Sequence, residues 1–133
     1  MDTEVKNLIR KGIVSQIDAT ACTVKVTFEE KDGAISPWLH PLSRGSSKNR
    51  DYWLPDVGDT VVCLMDPSSK NKNDGWILGT AFSDRQPPNA TSVDVRRIDF
   101  GDGSFIEFNR ATGSLTIKCK GKVTINGSSI NLN

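Results

Sequence analysis

One histidine, His40, stands between Leu39 and Pro41, and no second histidine or cysteine lies at ligand spacing from it. A structural or catalytic metal needs about three or four imidazole, thiolate or carboxylate ligands converging on one point. The expectation for His40 is therefore a loop or rim residue, with no bound metal or other cofactor. Carboxylates pair at Glu29 and Glu30 and at Asp99 and Asp102. Glycosidase chemistry needs two such groups across a deep pocket, one with its pKa raised, and these sit at turns and strand ends where acidic residues are ordinary. Neither a Gly-x-Ser-x-Gly elbow nor a cysteine with a histidine at family spacing occurs, so the chain reads as a non-enzyme. Cys22, Cys63 and Cys119 are odd in number and far apart. They form no CxxC pair and are expected to be reduced, buried small residues.

The stretch Arg44-Gly45-Ser46-Ser47-Lys48-Asn49-Arg50, with Tyr52 and Trp53 behind it, carries the remaining chemistry. Cations followed by aromatics resemble a surface that binds single strands by charge and stacking. The same residues also fit a solvated loop leading into core aromatics, and the balance of 17 basic against 16 acidic side chains, a formal charge of +1, favours that reading over a nucleic-acid surface. A third reading makes Arg44, Lys48 and Arg50 a contact loop for a neighbouring protein, because arginine and aromatics are enriched at interfaces.

The elements that would position these residues are short and β-rich. Hydrophobic residues make up 36% of 133 positions, enough for one small core and hardly for two. Val5 to Arg10 is expected to make a turn or two of helix that Gly12 stops. Ile13 to Ile17 and Thr23 to Phe28 follow as strands; in the second, Val24, Val26 and Phe28 alternate with Thr23, Lys25 and Thr27. Lys31-Asp32-Gly33 supplies a turn, and Ile35 to Leu42, with two prolines, suits an edge strand or an extended crossing. After the polar loop Ser43 to Asp51, the turn Val57-Gly58-Asp59 leads to a strand from Thr60 to Met65. The loop Asp66 to Asp74 and a buried strand from Gly75 to Phe82 close the series. Such a run of short strands predicts a small barrel, of the OB or the SH3-like type.

Asp84-Arg85-Gln86-Pro87-Pro88-Asn89 breaks the pattern, since prolines remove backbone donors and favour extended, unpaired chain. The expected organisation is a barrel domain over residues 1–83 with its helical lead, a linker over 84–92 and a third region over 93–133. In that last region Ile98 and Phe100, Ile106 and Phe108, Leu115, Ile117 and Cys119, Val123 and Ile125, and Ile130 and Leu132 sit two apart between turn points at Gly101 to Gly103, Thr112-Gly113, Gly121 and Asn126-Gly127. Short strands with one apolar face cannot bury that face against themselves and would leave open edges. Stacked solenoids or strands intertwined from several identical chains both answer this, and the intertwined form leaves fewer unmatched ends.

The order of these pieces resembles the phage baseplate assembly protein V family, the central spikes of contractile phage tails and related contractile injection systems. The resemblance rests on Leu8-Ile9-Arg10-Lys11-Gly12-Ile13-Val14 with Asp18, on Trp38-Leu39 before the basic loop, and on Tyr52-Trp53-Leu54-Pro55 running into Val57-Gly58-Asp59. It continues through Gly79-Thr80-Ala81-Phe82-Ser83 and Ile98-Asp99-Phe100-Gly101-Asp102-Gly103-Ser104-Phe105-Ile106-Glu107-Phe108. It implies an all-β protein: an OB-fold barrel followed by a short triple-stranded β-helix needle intertwined from three copies. The implied role is structural. A homotrimer in the virion tail baseplate, or an equivalent particle, sits on a hub protein and pierces the host envelope when the sheath contracts. Its assembly in the host cytoplasm agrees with a start, Met-Asp-Thr-Glu-Val-Lys, that lacks a secretory layout. The linker is too short for a lysozyme-like insertion, and no His-x-His metal pair accompanies the needle, so a separate tip protein caps it or it ends blunt. Ile106, Phe108, Leu115, Ile117, Val123 and Ile125 are then the expected trimer core, with Arg44, Lys48 and Arg50 the expected hub contact. The competing reading is an OB module for single-stranded nucleic acid or oligosaccharide whose tail only oligomerises it.

Overall fold

The computed structural model describes residues 7–29, 33–66, 68 and 74–133, and the chain divides into two compact units, Met1–Pro87 and Pro88–Asn133. All regular structure among the described residues is β. In the first unit β1 (Ile9–Asp18), β2 (Thr23–Phe28), β3 (His40–Pro41), β4 (Thr60–Met65) and β5 (Gly75–Thr80) form one sheet in the order β2-β1-β4-β5-β3. The two ends of that sheet meet, because Val24 and Leu39 exchange backbone hydrogen bonds of 2.9 and 2.8 Å. The closing order is therefore β1-β2-β3-β5-β4 and back to β1, and the sheet curls as an OB barrel does.

Closing so small a barrel requires sharp bends, and β1 supplies one. Its first half pairs with β4, its second half with β2, and the register slips between Val14 and Gln16, the mark of a bulge that bends the strand. Gly12 lies where the two pairings overlap. A Cβ there would stand 2.5 Å from both the Thr27 carbonyl oxygen and Val26 Cγ1, so glycine is what lets β2 approach. The alternate residues Val14, Val24, Val26, Phe28, Leu39, Val61, Cys63, Met65 and Ile77 fill the interior, with Trp53 and Leu54 packed against them. Burial of such side chains, at about 1.5–3 kcal/mol each, gives this unit a core of its own. Burial also pushes the Cys63 thiol up to about 11, opposed by the positive charge of Arg10, so it stays protonated and unreactive near neutrality.

Three expectations need correction. The helical lead is absent over its described part: Asn7 and Leu8 form a turn and β1 begins at Ile9, because Ile9 and Arg10 pair with Leu64 and Cys63; Val5 and Lys6 lie outside the described residues. The strand from Gly75 is not buried on both faces, since only Ile77 points into the core while Trp76 and Leu78 are exposed. Of the cysteines only Cys63 is buried; Cys22 is half-buried and Cys119 exposed. The turn at Lys31 and Asp32 and most of the loop after Asp66 fall outside the described residues.

In the second unit β6 (Val95–Asp99), β7 (Phe105–Asn109) and β8 (Ser114–Lys118) form an antiparallel meander. Asp102 Oδ1 accepts a 2.9 Å hydrogen bond from the Ser104 amide, which closes the β6–β7 turn and holds that carboxyl below its ordinary range. Gly113, with φ of +71°, closes the β7–β8 turn. Residues 119–133 form no strand within this chain, and a bend falls at Ser128, next to the turn expected at Asn126-Gly127.

Candidate functional site

Register assigns every side chain of the meander to a face. Ile98, Ile106 and Ile117 lie in one transverse row, and Arg96, Phe108 and Leu115 lie in the next on the same face. The opposite face carries Arg97, Glu107 and Thr116 in one row and Asp99, Phe105 and Lys118 in another. There the Arg97 guanidinium bonds Asp99 at 2.9 Å and Glu107 at 3.1 Å and lies 3.8 Å above the Phe105 ring. The hydrogen bond that Arg97 donates to Asp99, and then the one it donates to Glu107, hold Arg97 in its charged form. This polar face is complete within one chain.

The apolar face is not. Leu115 and Ile117 are 63% and 57% exposed, and Ile106 and Phe108 remain about two-fifths open. Val123 and Ile125 are also exposed, in the part of the chain without strands. The structure thus brings Ile106, Phe108, Leu115 and Ile117 together on one surface with Ile98, and leaves Val123 and Ile125 apart from it. The Arg97 cluster was not singled out from the sequence, although its members fall in the opposite phase to Ile98 and Ile106 and could have been found that way. Asp99 and Asp102 have structural partners and do not face each other across a cleft. No group of three or more potential metal ligands occurs among the described residues.

The basic loop of the barrel folds back on itself. Ser46 and Arg50 form an isolated bridge, and Gly45, at φ +91°, leaves no room for a Cβ against the Asn49 carbonyl. Arg44, Lys48 and Arg50 are all exposed. Behind the loop Tyr52 is 68% exposed, whereas Trp53 packs on the core and donates its indole N–H to the Leu42 carbonyl at 2.8 Å. His40 stands in β3, exposed, with Nδ1 3.1 Å from the Cys22 carbonyl. Cys22 has φ of +56°, the left-handed region that is unfavourable for any residue but glycine.

Fold and surface together define a class: an all-β protein with an OB-type barrel joined to a strand meander that exposes one apolar face. A family model described as the type VI secretion system/phage-baseplate injector OB domain matches residues 10–82, more than half of the chain. The chain therefore belongs to the phage baseplate assembly protein V family. It is also similar to the spike protein of Escherichia phage P2, 29% identical over 113 residues that cover 85% of this chain and 51% of the relative. The chain thus spans about half the length of that relative.

Proposed function

We propose that this protein is the central spike of a contractile tail baseplate, a structural component without catalytic activity. Three copies assemble through the second unit into an intertwined β-helical needle at the tail axis, which leads the tube through the host envelope when the sheath contracts. The observation that carries this reading is the apolar face of β6–β8, uncovered in a single chain whose barrel belongs to an injector family. The cost of exposing that surface is removed when copies of the same face meet. A threefold arrangement places Ile106, Phe108, Leu115 and Ile117 inward and the Arg97 cluster outward in water. Val123 and Ile125, without partners in one chain, gain them as further rungs in the assembly. The barrel then holds the needle on a hub component of the baseplate, and a tip protein at the far end is compatible with this arrangement.

Quantitative mass spectrometry of purified contractile particles tests the proposal. Three copies of this chain per particle are expected. Its absence from intact particles, or a copy number that is not three, contradicts the reading.

A further inference from the structure

A cavity of about 260 Å³ lies beside the basic loop, lined by Cys22, Pro41, Arg50, Asp51, Tyr52 and Trp53 among others, and apolar surface predominates in it. Hydrogen bonds within the chain hold its walls. The β1–β2 turn is held by Asp18 Oδ1, which accepts from the Thr20 and Ala21 amides at 3.1 and 3.3 Å. That turn delivers Cys22 in its strained conformation, with Sγ 3.9 Å from the Trp53 carbonyl. The Trp53 indole is tied to Leu42, and the Ser46–Arg50 bridge closes the loop. Between Ser43 and Trp53 the chain sets the cations Arg44, Lys48 and Arg50 against the single carboxylate Asp51.

We infer that this pocket docks an acidic peptide segment of a partner protein. One apolar or aromatic side chain enters between Tyr52 and Pro41, and flanking carboxylates meet Arg44, Lys48 and Arg50. Three observations support this occupant. The cavity is concave and apolar, the shape for one anchoring side chain. Of the cations only Arg50 lines the cavity, with Asp51, while Arg44 and Lys48 lie exposed on the same loop; the excess of cations on that loop is complementary to carboxylates, and arginine brings planar donors to them. Walls already tied by internal hydrogen bonds lower the ordering cost of binding. A single-stranded nucleic acid fits less well, because sequence-tolerant stacking needs successive exposed rings, and here Tyr52 is open while Trp53 is packed and its N–H engaged. The inference rests on the spike reading only in making the partner a neighbouring baseplate component.

Fluorescence anisotropy on the full chain tests it, with a labelled peptide Gly-Asp-Glu-Asp-Phe-Asp-Glu-Asp-Gly as probe. Its alanine-for-phenylalanine form, a lysine-for-acid form and an oligothymidylate of equal length serve as comparisons. The acidic phenylalanine peptide is expected to bind, and the alanine form about tenfold more weakly. Changing Arg44, Lys48 and Arg50 to serine together is expected to cost about tenfold and to flatten the salt dependence. Tyr52→Ala is expected to erase the preference for phenylalanine while leaving the salt dependence. Equal binding of the phenylalanine and alanine peptides, tighter binding of the oligothymidylate, or no binding of any probe would overturn the inference. Solution mass measured on the same samples separates the two ideas: failure of the peptide with an intact trimer rejects the pocket alone, and peptide binding by a monomer rejects the spike reading alone.

Discussion

Glycines at two strand positions that look alike in the sequence carry different loads. At Gly12 an added methyl group would meet the Thr27 carbonyl oxygen and Val26 Cγ1 at 2.5 Å, and a backbone carbonyl in a paired strand cannot move aside. At Gly79 a Cβ has no atom within 4 Å. Gly12→Ala should therefore destabilise the barrel by about 1–3 kcal/mol through overpacking, whereas Gly79→Ala should be close to neutral. Urea unfolding followed by tryptophan fluorescence separates them, because Trp38, Trp53 and Trp76 all lie in the first unit. Equal midpoints for the two variants would show that β1 and β2 do not approach as closely as described. Neither contact is legible locally, since Thr27 and Gly12 meet only after the hairpin has folded.

At the scale of elements, alternation carried most of the reading. The limits of β2 follow from Val24, Val26 and Phe28, which face the core with Lys25 and Thr27 turned outward between them. It misled at the apolar run Trp76-Ile77-Leu78, read as part of a buried strand, where alternation puts only Ile77 inside and leaves Trp76 and Leu78 on the outer face. It also failed at Ile9 and Arg10, whose spacing suits a helix and whose strand partner Leu64 is remote in the chain. For the meander, the alternation placed Ile106, Phe108, Leu115 and Ile117 on one face. What covers that face could not be read from one chain. In the proposed trimer, Ile117→Asp sets three carboxylates in an apolar interior, at a cost of roughly 3 kcal/mol or more for the assembly. Thr116→Lys, on the polar face across from Glu107, should leave the trimer intact. Cys119 continues the alternation of Leu115 and Ile117, so its thiol should react slowly with a soluble disulfide reagent in the assembled protein and rapidly in Ile117→Asp. Rapid reaction in both would place this face outside.

For the whole molecule, the two units differ in what they need. The barrel has nine buried hydrophobic residues among those described and closes its own sheet; the second unit has three strands and no buried residue in a single chain. A unit without a core of its own needs partners to cover it, so the oligomeric state decides how the second unit is held. The decisive measurement is the mass of the full chain in solution, by light scattering or analytical ultracentrifugation, beside a chain ending at Pro87. The full chain should have three times the 14.5 kDa mass of one copy, and the shortened chain should be a folded monomer. A full chain that stays monomeric at micromolar concentration, or a shortened chain that forms the same trimer, would contradict the claim that the second unit joins three copies into a needle.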